Sequence, residues 1–290
     1  MKPVDCFIDK FSLLYPEIPK YILYANRYNF KIGIKEKDFF LDFSEGNNFF
    51  EKILDFYSIK RIELITNNDI FEKNVFPIFF PCDSFYLFYS ELNYLKYHLD
   101  HFIIIREYDS NTKSFKIFDD NPYYVGKIDK NDLFASKRSD NMLIFGECNN
   151  KHSISDNLAF FIDNIYFNCF KISDSLYEIA MSEEVGIENK LIFIESLRLY
   201  FMRYNSLPII FDSLQKEGLV MESQFEVIVQ EYIDELMTVS TLAGVILRKK
   251  IKDLSRIFNK LEKIKMLEEK LNCLKGKWIK EVKHEKEFVD

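Results

Sequence analysis

Along this chain the spacing of apolar residues changes character near its middle. From residue 154 onward apolar positions keep a three-and-four step almost throughout, punctuated by Pro208 and Gly218, which predicts a helical second half. Its clearest stretch runs Leu247, Ile251, Leu254, Phe258, Leu261, Leu267, Leu271, Leu274, Trp278 and Val282, with one slip near Ile264. That stripe predicts a long amphipathic helix or a helical hairpin with Lys-rich flanks. The first half is mixed. Phe7, Phe11 and Leu14 follow Asp5 at helical spacing until Pro16, so Asp5 reads as an N-cap and Cys6 as the first helical residue. A second short helix is predicted over 20–29. Strand-like runs follow at 62–65, 75–80, 102–108 and 115–118, and the last two flank a polar turn around Asn111, so they predict a hairpin. The fold class is therefore α+β for residues 1–148 and all-helical for residues 149–290, with Asn149-Asn150-Lys151 as the boundary.

Composition narrows the chemistry. Of 290 residues only 8 are glycine, and no two lie closer than Gly33 and Gly46, 13 positions apart. That excludes the glycine-rich phosphate loops and the G-x-S-x-G nucleophile elbow. The 30 Phe and 17 Tyr against a single Trp suit a core and a groove lining together. Five scattered cysteines, Cys6, Cys82, Cys148, Cys169 and Cys273, contain no C-x-x-C pair, so reduced thiols and no disulfide framework are expected. His98 and His101 have no further ligands nearby in sequence, so no metal is expected. No apolar run is long enough for a membrane span and the N-terminus lacks a signal-peptide core, which predicts a cytoplasmic protein without a membrane partner. Net charge is −7, against nucleic acid as a partner, yet residues 243–290 carry 14 Lys/Arg and 8 Asp/Glu. A basic tail on an acidic body suits an acidic partner or a solvated helix face.

Candidate chemistry starts at Cys6. A thiol in the first turn of a helix meets unpaired N–H groups and the helix dipole, which stabilise a thiolate and can also donate to an oxyanion. A nucleophilic cysteine needs a base, and His101 heads a predicted strand. Pairing across the hairpin returns residues near 120 to that histidine. Alternation puts Phe115, Ile117 and Asp119 on one face and Lys116, Phe118 and Asp120 on the other, and one residue of register separates Asp119 from Asp120 as the orienting carboxylate.

This arrangement resembles a papain-like cysteine fold in its compact bacteriocin-leader-peptidase form. The run Pro77-Ile78-Phe79-Phe80-Pro81-Cys82-Asp83-Ser84-Phe85-Tyr86-Leu87, then His98-Leu99-Asp100-His101-Phe102-Ile103-Ile104-Ile105, then Phe118-Asp119-Asp120, is similar to the N-terminal domain of the butirosin-type acyltransferases and to the cysteine-protease-like condensing enzyme of closthioamide assembly. The resemblance covers about the first 140 residues. It implies a triad of Cys6 as nucleophile, His101 as base and Asp119 as orienter, with Asp120 second. It also implies a cleft-side segment of Asp83, Tyr86 and Tyr89 in which the carboxylate holds the amine, while the residues alone read equally as a helix-capping Asp with aromatic packing at i+3 and i+6. By the same resemblance the acyl donor is an acyl or peptidyl carrier protein and the acceptor a small-molecule amine. Phosphopantetheine then enters only as the carrier's arm, with no cofactor of the chain's own. The glutamine that papain-like peptidases place shortly before the nucleophile has no counterpart here, so Asn26, Asn67 or Asn68 would complete the oxyanion hole. Three functions follow as expectations: an amide-forming acyltransferase, a peptidase or thioesterase on the same triad, and a non-catalytic binding module. The C-terminal helix suits packing within the chain or across a homodimer.

Overall fold

The computed structural model describes all residues except 1–5, 26, 65–69, 71–75, 92, 97, 99, 121, 139–141, 165–170, 219–222, 252 and 287–290. The chain forms two compact units that interleave in sequence. One comprises residues 3–17 and 53–151, the other residues 18–52 and 152–290. The expected single boundary after residue 148 thus has a near counterpart at 151/152, but residues 18–52 cluster with the helical half instead of the sheet.

The first unit is built on a six-stranded antiparallel sheet in the order β3-β8-β4-β5-β6-β7. Its strands are β3 (Arg61–Leu64), β4 (Ile78–Asp83), β5 (Asp100–Asp109), β6 (Ser114–Asp120), β7 (Tyr123–Asp129) and β8 (Met142–Phe145). Helix α1 (Cys6–Leu14) starts at the predicted residue, although Asp5, its expected cap, lies outside the described residues. It lays Phe7 and Phe11 on one face of the sheet, with ring centroids 5.2 and 6.2 Å from Phe79. The opposite face buries Phe80, Cys82, Ile103, Ile105, Phe115 and Ile117 in one apolar cluster. A sheet covered on both faces explains why β4 is buried along its whole length and reads as a continuous apolar run. The predicted hairpin is present as β5–β6, and the predicted strand at 75–80 sits a few residues later as β4. The sequence pattern missed β7 and β8, an edge strand and a four-residue strand.

The second unit carries a two-stranded hairpin, β1 (Lys31–Lys35) and β2 (Asp38–Asp42), and a set of helices. The hairpin escaped detection because its turn is Glu36-Lys37, with φ of 53° and 73°, where Asn-Gly would be the sequence signal. The helix predicted over 20–29 is only α2 (Lys20–Tyr24), since Ala25 turns extended at φ −56°, ψ 140°. Helix α3 (Ser44–Phe56) straddles the two units. Beyond it lie α4 (Lys130–Ala135) in the sheet unit, then α5 (Ile154–Asn164), α6 (Ile172–Met181), α7 (Ile187–Ser196), α8 (Arg198–Phe201), α9 (Ser206–Lys216), α10 (Ser223–Arg248) and α11 (Ser255–Lys286). Pro208 stands in the first turn of α9, where its missing N–H has no helical partner. Gly218 follows that helix at φ 85°, the left-handed cap position.

The C-terminal stripe resolves as a helical hairpin of α10 and α11. Leu247, Ile251 and Leu254 fall on the end of α10 and its connection, and Ile251 is exposed. The buried seam of α11 is Ile257, Leu261, Ile264, Leu267 and Leu271, so Ile264 belongs to the seam and the slip there is two successive three-residue steps. Between the helices, Glu268 accepts from Tyr232 (3.1 Å) and from the backbone N–H (3.1 Å) and hydroxyl of Ser173 at the start of α6. Among the described residues no helix is long and apolar enough to cross a membrane.

Candidate functional site

Which aspartate meets His101 is decided by a bulge. Near the hairpin turn, Asp109, Tyr108 and Glu107 pair with Ser114, Phe115 and Lys116, but Ile105 and Ile104 pair with Ile117 and Phe118. Arg106 is therefore the extra residue. It shifts the register by one, and continuing that register sets Asp119 opposite Ile103, on the sheet face that His101 shares. Without the bulge Asp120 would occupy that place. On the other side of β5, His101 pairs with Cys82.

The resulting geometry is compact. His101 Nε2 lies 2.7 Å from Asp119 Oδ2, and the Tyr89 hydroxyl donates to the same oxygen at 3.0 Å. Lys10 Nζ sits 3.0 Å from Asp119 Oδ1 and 2.5 Å from Asp120 Oδ1. The side chains of Lys10 and Asp119 are both 0% exposed. Burial by itself would raise the Asp119 carboxyl, but the His101 hydrogen bond and the charges of His101 and Lys10 outweigh it and hold it below its ordinary value. Burial would likewise strip the proton from Lys10, yet Asp119 and Asp120 keep that ammonium more firmly protonated than a free lysine. Burial and the charge of Asp119 push the Tyr89 phenol up, so it stays a donor. When His101 is in its neutral form beside an ionised Asp119, its proton sits on Nε2 and Nδ1 is left with the lone pair that can accept another.

Adjacent side chains of β6 point to opposite faces, so an ammonium that touches both Asp119 and Asp120 must sit at the end of the strand, where the two faces meet. Helix α1 delivers it there. Cys6 lies one turn before Lys10 on the same side of that helix. The next residue, Phe7, packs its ring 5.3 Å from Phe102, the residue after His101. Cys6 is half-buried, close enough that a thiolate there would act on both Lys10 and Cys82, the register partner of His101.

The other thiols differ. Burial first, and Asp119 next, push the fully buried Cys82 thiol far up. Burial and Glu17 raise Cys148, Cys273 is exposed on α11, and Cys169 lies outside the described residues.

The three residues expected to bind the amine part company. Asp83 is buried and already accepts from the Phe85 N–H at 3.0 Å, with His98 Nδ1 at 2.7 Å and Arg138 Nε at 3.6 Å. Burial opposes its ionisation, and these donors together lower its carboxyl nonetheless. It therefore anchors the 84–86 turn and stacks His98 on Phe85, centroids 4.1 Å apart, instead of standing open as an amine-holding carboxylate. Tyr86 is exposed. Tyr89 belongs to the His101–Asp119 pair itself and stacks flat on Tyr124, centroids 4.1 Å and 5° apart. Asn26, Asn67 and Asn68 lie outside the described residues.

Sequence reasoning missed Lys10 and the His98–Asp83 pair. The legible signal for Lys10 was its spacing, four residues after Cys6 on an otherwise apolar helix face. Among the described residues no group of three or more His, Cys, Asp and Glu side chains gathers as a metal site would require. In comparison with known proteins, no family model and no curated protein matches the chain.

Proposed function

We propose that the chain is a cysteine-dependent acyltransferase on a papain-like scaffold, with Cys6 as nucleophile, His101 as base and Asp119 as orienter. The observation that carries this reading is the buried, ionised Asp119 carboxylate 2.7 Å from the His101 imidazole at the start of β5. A carboxylate so placed fixes the tautomer that leaves Nδ1 basic and stabilises the imidazolium that forms on proton uptake. Cys6 at the start of α1 supports the role of nucleophile, because the first-turn N–H groups favour a thiolate and can receive an oxyanion.

In the first half-reaction the Cys6 sulfur attacks the carbonyl carbon of a carrier-bound thioester. The carbon–sulfur bond to the carrier breaks, and the proton lost by Cys6 passes through His101 to the departing carrier thiol. In the second half-reaction an amine nitrogen attacks the acyl-enzyme, gives one proton to His101 and forms the amide, and Cys6 leaves and recovers that proton. The basic stretch around Lys249 and Lys250 is the docking surface this reading assigns to an acidic carrier protein.

The test is the intact mass of the protein after incubation with a small acyl thioester, for wild type, Cys6→Ala and His101→Ala, with peptide mapping of any adduct. An adduct on Cys6 in wild type alone, discharged by an added amine as the amide, is the expected outcome. Discharge by water at the same rate with or without amine would make the protein a hydrolase on the same residues. No adduct on Cys6 would overturn both.

A further inference from the structure

Lys10 is a member of the buried cluster that the proposed chemistry does not use, and its position is unusual. It projects from α1 with no exposed side-chain surface, one turn after Cys6, and its ammonium bridges the carboxylates of two consecutive strand residues. Two carboxylates and no cation at that strand end would leave a negative field beside Cys6, which would disfavour a thiolate. We propose that Lys10 is a positioning residue of this site, which clamps Asp119 and Asp120 at the end of β6 and supplies the positive charge that keeps the Cys6 thiolate accessible. This inference deepens the reading of Cys6 as nucleophile and rests on it.

Several features support the role. Side chains four apart on a helix are neighbours, so Lys10 is held on the same side of α1 as Cys6 by the helix itself. The attraction between the ammonium and a Cys6 thiolate is mutual, and it adds to the fields of Asp119 and Asp120 that keep Lys10 charged despite burial. Among the described residues, groups from several elements face this pair. From β6 come Asp119 and Asp120, from β5 His101, from β4 Cys82 with a thiol pushed far up by burial, and from the segment after β4 the neutral phenol of Tyr89. Among these groups Lys10 is the permanent cation. A salt bridge made only for stability would tolerate any arrangement that neutralised the aspartates, whereas a tuning role predicts opposite signs for removal of the cation and removal of a carboxylate.

The experiment is the pH dependence of Cys6 alkylation by iodoacetamide in the intact chain, read by peptide mapping, for wild type, Lys10→Met, Asp120→Asn and the surface control Lys116→Met. Lys10→Met should raise the alkylation midpoint of Cys6 by about one pH unit and slow the reaction at pH 7 by roughly 3- to 10-fold. Asp120→Asn should lower the midpoint, since the ammonium then faces one carboxylate fewer. Lys116→Met, which removes an exposed cation on β6 paired with Glu107, should leave it unchanged. An unchanged midpoint in Lys10→Met, or a shift of the same sign in both cluster variants, would overturn the proposal. Should Lys10→Met fail to fold by thermal melting, Asp120→Asn decides alone, a fall supporting the role and no change or a rise ending it. Iodoacetamide needs neither thioester nor amine. Intact midpoint shifts in a protein that forms no acyl adduct would therefore remove acyl transfer and leave Lys10 as the residue that tunes this thiol.

Discussion

Replacement of Asp119 by alanine tests the buried network most directly. The carboxylate is 0% exposed and receives His101 at 2.7 Å, Tyr89 at 3.0 Å and Lys10 at 3.0 Å. Truncation leaves the Tyr89 hydroxyl and the His101 N–H without this acceptor, at about 1–3 kcal/mol for each buried unsatisfied group. Lys10 keeps Asp120 at 2.5 Å, so its ammonium is not orphaned and that part of the loss is reduced. The expected destabilisation is about 3–5 kcal/mol, the usual range for one partner removed from a buried charged pair. Asp119→Asn should cost less, about 1–3 kcal/mol, because an amide oxygen still accepts from His101 and Tyr89. Urea unfolding at pH 7, followed by tryptophan fluorescence and circular dichroism, measures both. The pH dependence carries the sign. A carboxyl held below its ordinary 3.8 contributes stability above that value and loses it as pH falls through the folded-state value. The gap between wild type and Asp119→Asn should thus be full at pH 7 and should close from about pH 4 downward. A loss below about 1 kcal/mol for Asp119→Ala, or a gap that widens in acid, would refute the network as drawn.

Other perturbations follow from the same packing. Leu261→Ala opens the buried seam between α10 and α11 and should cost about 2–5 kcal/mol in urea unfolding. Glu268 is a buried carboxyl whose pKa burial raises, against hydrogen bonds from Ser173 and Tyr232, so its contribution is complete below the ordinary 4.5 and is lost as pH rises through the folded value. Wild-type stability measured against Glu268→Gln should therefore decline from pH 4.5 upward, and a rise would contradict it. A Cβ at Gly126 would fall 2.4 Å from the Tyr124 hydroxyl, whose ring stacks on Tyr89. Gly126→Val should accordingly lower the thermal midpoint by the equivalent of about 1–3 kcal/mol and slow any Cys6-dependent reaction, and an unchanged melt would show that Tyr124 swings clear at no cost.

The chain's own periodicity determined much of this protein. A three-and-four apolar step made the described elements from 154 onward helices, alternation made β5 and β6 a hairpin, and the same alternation put Asp119 with Phe115 and Ile117 on one face. These are local properties, set by the handedness and pleat of the backbone, and they survive whatever the strands later pair with. The choice of Asp119 over Asp120 was not local. It turned on the bulge at Arg106, a register shift of one residue that no composition of β5 announces. The partners of Lys10 were equally hidden, because two carboxylates from β6, more than a hundred positions away, close over it only in the folded chain. For Asp83 the capping alternative was legible in the sequence, but its partners were not: the Phe85 N–H, His98 and Arg138 gather on it only in the folded chain. The association of residues 18–52 with the helical half also belongs to tertiary packing, because α2 packs on α9 and α5, and β1 on α6, helices that come far later in the chain. Periodicity specifies which side of an element is apolar. Which partner buries that side, and which polar groups are trapped with it, is decided only when distant segments compete for the same surface.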